Sequence, residues 1–306
     1  MISNLPTSED FYKTGKELLS LSWDMVAKLL VNLDEAEYYG VDADEVSEEY
    51  WSLAQRQLTT AFAITQQGIE FLIKGRISEI SPYLLSSESP SKWPSPYEDD
   101  AIDFSRFRTI DAQDLIRVYD TFSDVKFDAG FVDKFNELRE KRNVIMHSFS
   151  TSLDVQVGEV IDSLLYMHNS LFPDESWAKL RKKALEISPN SELGSTDYVS
   201  NEVCRELSII FKLLPPASIK NYFKIEKKNR AYFCPDCCDE ANHDAVDFDF
   251  KLARLVVADA NCKEVYCPIC DREYDVIRED CPEKKGGCPG NVISDVYGMC
   301  LSCGVH

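Results

Sequence analysis

The stretch LTTAFAITQQGIEFLIKGRISEISP, residues 58–82, decides the fold of the N-terminal part of this chain. Its apolar residues recur at the spacing of one face of a helix: Leu58, Phe62, Ile69, Leu72, Ile73, Ile77 and Ile80. The pattern predicts an amphipathic helix that starts near Asp42, whose side chain caps the backbone with Glu45, and that ends before Pro82. We expect it to be the longest helix in the protein.

Neighbouring segments repeat this periodicity and predict a helical bundle over residues 1–190. Further helices are expected at residues 8–33, 111–122, 128–149, 152–171 and 174–187. No run of alternating β-branched residues interrupts them. Residues 83–110 contain Pro90, Pro94 and Pro96 among serines and acids, a composition that predicts a long loop.

The charge of the chain argues against a general nucleic-acid binder. Its 53 acidic and 33 basic residues give a net charge of −20 over 306 residues, so any RNA contact must be local. Residues 34–49 hold eight acids and no Lys or Arg, which predicts a solvated loop leading into a helix or a docking surface for a basic partner. No signal peptide and no bilayer-length apolar stretch is visible, so we expect a cytoplasmic protein without a membrane partner.

Cysteine usage divides the chain. Ten of the eleven cysteines lie after residue 233, a clustering that favours metal ligation over disulfides. The pairs Cys234–Cys237 and Cys267–Cys270 have the spacing of zinc knuckles, and KLARLVVAD and KEVYCPI between them are strand-like. A second quartet consists of Cys281, Cys288, Cys300 and Cys303. We therefore expect a small β-rich double zinc-ribbon domain at residues 231–306.

The pairing of these ligands has more than one solution from sequence. Sequential quartets are the primary prediction, a cross-braced arrangement is the alternative, and Cys238 or His243 can replace a ligand. Four thiolates leave no open position on an ion, so two structural zinc ions and no catalytic metal are expected. Rubredoxin-like iron is the redox alternative.

Residues 191–230 are predicted to form a helical and basic linker. An apolar helix around Cys204 ends at Pro215 and Pro216, and the basic, aromatic segment NYFKIEKKNRAYF, residues 221–233, follows. This segment is interpreted either as a solvated hinge whose aromatics pack on the next domain or as a contact for single-stranded RNA.

The segment EKRNVIMHSF, residues 140–149, places polar side chains in an apolar helix. Arg142 falls on the stripe formed by Phe131, Phe135, Leu138, Ile145 and Phe149. Asn143 and His147 lie one turn apart and share a neighbouring face. A guanidinium in such a stripe is costly unless it is paired or reaches a wet cleft. One interpretation is an ion pair with an acid of the long helix, for example Glu70, beside a core histidine; the other is a site for RNA cleavage.

The stretch LREKRNVIMHSF on a late helix of an α bundle resembles the HEPN family (higher eukaryotes and prokaryotes nucleotide-binding) over roughly residues 10–187. Arg142, Asn143 and His147 match the Arg, polar residue and His of its signature. The resemblance implies a metal-independent endoribonuclease, of toxin or antiviral-effector type, that acts as a homodimer. His147 would handle protons, Arg142 would stabilise the phosphorane-like transition state, and Asn143 would orient the phosphate or the histidine.

Two other functions compete with this one. The first is a non-catalytic dimeric adaptor whose zinc ribbons bind protein and in which Arg142 is structural. The second is a DNA-binding factor, which the acidic charge disfavours. In the nuclease hypothesis the acidic surface or the ribbons would receive a protein inhibitor or activator.

Overall fold

The computed structural model describes residues 2–89, 91, 93, 102–147, 154–193, 197–242, 247–283 and 287–305, with backbone only at Glu37, His147 and Asp197. The described residues form mainly α-helix: α1 (Ser8–Asp34), α2 (Ala43–Ile80), α3 (Ala112–Phe122), α4 (Ala129–His147), α5 (Val157–Leu171), α6 (Trp177–Glu186), α7 (Asp197–Leu213), α8 (Pro216–Phe223) and α9 (Pro235–Glu240). The strands are β1 (Ile2–Ser3), β2 (Ile102–Asp103), β3 (Arg254–Leu255), β4 (Glu264–Cys267), β5 (Arg272–Ile277) and β6 (Ile293–Ser294). The predicted class, mainly α with a small C-terminal sheet, is confirmed.

The chain folds into two compact units whose boundaries differ from those predicted. The first unit contains residues Met1–Val26 and Glu49–Leu171, and the second contains Ala27–Glu48 and Phe172–His306. Residues 172–230 therefore belong with the cysteine-rich end, and the expected boundaries at 190 and 230 are not boundaries of these units. The physical reason is that α6 packs against α7 and α8, and α7 packs against α9.

Helices α1 and α2 approach closely in the first unit because two glycines face each other. A Cβ atom at Gly15 would lie 2.5 Å from the Leu72 side chain and 2.9 Å from the carbonyl oxygen of Gly68. Two helical turns further along α1, the buried Ser22 hydroxyl donates a hydrogen bond to the Ala61 carbonyl of α2 at 2.8 Å. The predicted apolar stripe of α2 is buried as expected, with the exception of Ile80 at its end.

Helix α4 packs against α3 and α5 through the stripe predicted for it. Phe131, Phe135 and Leu138 are each only 1% exposed. The Lys141 ammonium pairs with the Glu159 carboxylate of α5 at 2.5 Å. These contacts hold the last turns of α4, which carry Arg142, against the rest of the unit.

A short strand pair was missed by the sequence analysis. β1 and β2 are parallel, with Ile2 opposite Ile102 and Ser3 opposite Asp103. Strand β2 lies inside the predicted 83–110 loop, which also contains a 3₁₀ turn at Phe104–Arg106. Each strand has two residues, too few to show an alternating pattern. Pro90, Pro94 and Pro96 lie outside the described residues.

In the second unit, Pro216 starts a helix as well as following one. It is the first residue of α8, where the missing N–H of proline costs nothing and its fixed φ suits a helix. In the segment 221–233, Phe223, Tyr232 and Phe233 are 2–4% exposed. Their faces are therefore not available to stack on bases, which favours the interpretation with packed aromatics over the RNA contact.

The acidic segment is partly used for packing within the second unit. Asp34 pairs with Lys212 of α7 at 3.0 Å, and Glu35 pairs with Arg205 of α7 at 2.6 Å. The cap predicted for α2 is also present, because the Asp44 N–H donates to the Asp42 carboxylate at 2.9 Å. The segment consists of the end of α1, a 3₁₀ turn at Ala36–Tyr39 and the start of α2.

We expect the buried ion pair between α6 and α7 to be a major source of stability in the second unit. Arg181 and Glu206 are 3% and 6% exposed and form two hydrogen bonds of 2.8 and 2.9 Å. Because Glu206→Ala leaves a buried guanidinium without its partner, it should lower the free energy of unfolding by roughly 3–5 kcal/mol, measured by urea denaturation. Lys220→Ala, which breaks an exposed pair with Glu226, should leave the free energy of unfolding almost unchanged. Equal changes in the free energy of unfolding for Glu206→Ala and Lys220→Ala would contradict the stabilising role of the buried pair.

Candidate functional site

The first cysteine cluster is assembled by a helix start and a hairpin. Cys234 precedes the first residue of α9 and Cys237 lies in its first turn, with Pro235 at the first helical position. Cys267 ends β4, and Cys270 lies in the turn that leads to β5. The strand character of KEVYCPI was predicted, but the helix at the first pair was not, since only six residues form it.

The sulfur geometry of this cluster fits a tetrahedral metal ion. The Sγ atoms of Cys234 and Cys270 lie 3.7 Å apart, those of Cys237 and Cys267 3.8 Å, and those of Cys237 and Cys270 3.5 Å. A zinc–sulfur bond of about 2.3 Å in a tetrahedron places ligand sulfurs about 3.8 Å apart, whereas a disulfide requires about 2.0 Å. The four thiols are arranged around a space of the size of one ion.

The second cluster gathers the remaining predicted ligands: Cys281, Cys288, Cys300 and Cys303. The Sγ atoms of Cys281 and Cys303 lie 3.6 Å apart. A backbone N–H from Gly290 donates to Cys288 Sγ at 3.4 Å, and Gly304 follows the last ligand with φ of +80°. The turns that follow Cys288 and Cys303 therefore each contain a glycine that the local geometry uses.

In each cluster the environment raises the pKa of one thiol and lowers the pKa of another. Burial raises the pKa of Cys267 and of Cys281. The Gly290 N–H holds the pKa of Cys288 below its usual value. Hydrogen bonds from Cys234 and its neighbours likewise lower the pKa of Cys270. Packed thiols of this kind share protons among themselves, whereas a cation replaces those protons and stabilises thiolates.

The structure chooses between the pairings that the sequence left open. All four sulfurs of each sequential quartet lie within 4.8 Å of one another, which supports the sequential over the cross-braced arrangement. Cys238 follows Cys237 on α9 and is not part of the cluster. His243 lies outside the described residues. Of the other thiols, Cys204 is buried within hydrogen-bonding reach of Cys237, and Cys262 donates to the Glu264 carbonyl at 3.3 Å.

The predicted catalytic residues lie at the end of α4. Arg142 and Asn143 are both half-buried, and Arg142 Nη1 donates to Asn143 Oδ1 at 3.2 Å. Within the described residues Arg142 forms no ion pair, and Glu70 accepts a hydrogen bond from Gln66 instead. The arginine is thus less buried than the stripe predicted, and the proposed pair with Glu70 is absent.

His147 is the last residue of α4, and its side chain lies outside the described part of the structure. The backbone places it one helical turn beyond Asn143, as the spacing predicted. The structure brings Arg142 and Asn143 together; the third member of the predicted set is placed only by its backbone.

One charged groove in the second unit was not predicted. Arg230 and Arg278 line it together with residues of β3 and of the turn that follows β3. They are 48 residues apart in the sequence, and neither belongs to a recognisable motif. The basic segment 221–233, which contains Arg230, was the only signal available in the sequence.

Comparison of the chain with protein-family models, with curated proteins and with solved structures gives no match. The described residues form a mainly helical protein with a small antiparallel sheet and two tetracysteine clusters. None of the described helices has the length and apolar character needed to cross a membrane.

Each cluster should bind one metal ion, so elemental analysis of the purified protein should give about two ions per chain. Cys270→Ser removes a ligand from the first cluster and should lower the content to about one. Cys262→Ser, which changes a thiol outside both clusters, is the matched control and should leave it at two. A lower metal content in Cys262→Ser, or an unchanged metal content in Cys270→Ser, would contradict the assignment of the ligands.

Gly290 should be essential to the second cluster because there is no room for a side chain. A Cβ atom there would lie 2.8 Å from Cys300 Sγ and 2.8 Å from the Ser302 side chain. Gly290→Ala should therefore displace a ligand and release one ion per chain while the first cluster keeps its own. The check is metal content alongside the far-ultraviolet circular dichroism spectrum; retention of both ions would show that the turn adapts.

Proposed function

We propose that the chain is a metal-independent endoribonuclease of the HEPN type, in which Arg142, Asn143 and His147 cleave RNA at a homodimer interface. The single observation that carries the proposal is the state of Arg142: a half-buried guanidinium with no carboxylate partner among the described residues of a chain with 53 acids. Arg142 differs in this respect from Arg181, whose buried guanidinium is paired with Glu206.

The chemistry needs no metal at the reaction centre. The ribose 2′-oxygen forms a bond to the adjacent phosphorus and gives up its proton, the P–O5′ bond breaks, and the leaving 5′-oxygen takes up a proton, so that a 2′,3′-cyclic phosphate and a 5′-hydroxyl remain. His147 carries the proton, since imidazole is the side chain suited to proton transfer near neutral pH. Arg142 donates to the phosphate oxygens on which charge develops. Asn143 Oδ1 accepts from Arg142 and so aims the guanidinium.

A homodimer is supported by apolar side chains at the same end of α4. Val144 and Met146 are 45% and 57% exposed and lie on either side of Asn143 around the helix. Exposed apolar residues beside a half-buried arginine are the composition expected of an interface centre. Two-fold packing there would place two copies of the catalytic set near one phosphate.

The two tetracysteine clusters serve a structural role in this proposal. We infer that both bind zinc, because four thiolates saturate its tetrahedral shell and leave no position for water. Each loaded site carries a net charge of about −2, so the ribbons bind a protein inhibitor or activator better than an RNA backbone.

Arg142→Ala should abolish cleavage of total RNA in the presence of EDTA, while the wild-type protein yields fragments ending in 2′,3′-cyclic phosphate. The loss should be at least about a hundredfold, as for other removed transition-state donors. The matched control is Arg108→Ala, which removes an exposed arginine of the same unit paired with Asp111. A DNA version of a cleaved oligonucleotide should stay intact because it lacks the 2′-hydroxyl.

The same variants separate the nuclease from the adaptor. If neither RNA nor oligonucleotide is cut by the wild-type protein and Arg142→Ala lowers the melting temperature by several degrees, Arg142 is structural and the adaptor hypothesis holds. Cleavage that survives in both Arg142→Ala and His147→Ala would assign the activity to other residues.

A further inference from the structure

A groove of about 280 Å³ lies beside the zinc-ribbon sheet in the second unit. Three chain segments form its walls: the end of the basic segment, the turn after β3, and the residues that flank β5 and β6. Its lining residues are Asn229, Arg230, Tyr232, Leu255, Ala258, Asp259, Ala260, Arg278 and Asn291. The volume lies at the lower end of the range for small-molecule sites.

Arg278 is the residue that makes this groove informative. Its Nε and Nη1 atoms are buried and have no hydrogen-bond partner among the described residues. Buried donors without acceptors each cost about 1–3 kcal/mol, and more on a charged group. Arg278 also lines the groove and forms no ion pair within the described residues, so no carboxylate of that part of the chain neutralises its charge.

Arg230 brings a second cation to the same groove. Its guanidinium lies 5.5 Å from the centre of the Tyr232 ring and donates to the Ser302 hydroxyl at 3.2 Å. Both partners are neutral, and Arg230 forms no ion pair within the described residues. Two arginines without carboxylate partners therefore line one small groove of a strongly acidic chain.

The remaining polar groups of the groove suit a sugar better than a second anion. The Asp259 carboxylate accepts the Asn261 N–H at 2.7 Å and keeps a free acceptor capacity that ribose hydroxyls can use. Asn229 and Asn291 supply amides that both donate and accept. The carboxylate also repels a ligand that is anionic at every position, which limits the negative charge to the arginine side.

We propose that this groove binds a phosphate ester of the size of a mononucleotide, with its phosphate between Arg278 and Arg230 and its sugar hydroxyls towards Asp259. Arginine matches phosphate because its planar fork donates two parallel hydrogen bonds to two oxygens. The inference does not rest on the proposed ribonuclease activity, because the groove lies in the second unit and the predicted catalytic residues lie in the first.

The test is isothermal titration of the full-length, metal-loaded protein with adenosine monophosphate, inorganic phosphate, adenosine and a short single-stranded RNA. The nucleotide should bind more tightly than phosphate or adenosine. Arg278→Gln should weaken its binding at least about tenfold, because a charge-assisted pair of hydrogen bonds is lost. Lys263→Gln removes the same charge from an exposed site near β4 and should leave binding unchanged.

A second variant keeps the test valid if Arg278→Gln disturbs folding. Ala258→Trp fills the groove from an exposed position without removing charge and should abolish nucleotide binding while two metal ions remain bound. No nucleotide binding by the wild-type protein, or binding that both variants retain, would overturn the proposal. If inorganic phosphate binds as tightly as adenosine monophosphate, the groove does not select a phosphate ester. If the short RNA binds more tightly than adenosine monophosphate, the ligand is not a mononucleotide.

Discussion

Convergence of four cysteine sulfurs at each cluster is the constraint on which the cysteine-rich part of the second unit depends. Its sheet consists of strands of two to six residues, and the first cysteine cluster joins that sheet to a six-residue helix. Such elements are too short to bury a core of ordinary size, and a metal ion bound at each cluster would supply folding free energy that this part of the unit lacks. Asp236, between two ligands, adds to this by accepting from Arg272, Tyr274 and Tyr297. One carboxylate thereby ties the first knuckle to the strand and loop that lead to the second cluster.

The sequence predicted those parts of the fold that depend on local spacing. The helices of the first unit follow from apolar residues repeated every three or four positions, and both cysteine quartets follow from ligand spacing in a chain without signs of disulfides. The parallel pair β1–β2, the short helix α9 and the start of α8 at Pro216 did not follow, because they depend on contacts between distant segments or on too few residues to form a pattern. The packing of α6 on α7 did not follow either: the buried Arg181–Glu206 pair joins these helices, and no spacing rule identifies a salt-bridge partner.

The candidate sites also differ in whether local spacing in the sequence can predict them. Arg142 and Asn143 were found by spacing on one helix, where the period itself shows which positions share a face. The groove was not found, because Arg230 and Arg278 come from separate segments that only the sheet brings together. Sequence also overestimated the burial of Arg142: it lies near the end of α4, where the side chain reaches the surface even though the helical angle points at the core.

A comparison of three arginines shows why the state of a guanidinium carries functional information here. Arg181 is buried and fully paired with Glu206, as expected for a residue that only supports the fold. Arg142 and Arg278 have no carboxylate partner among the described residues, although acids outnumber bases by 20 in this chain. With such an excess of carboxylates, pairing is the outcome that folding alone would favour. The two partly buried arginines therefore share one physical property: no carboxylate of the described residues neutralises either guanidinium.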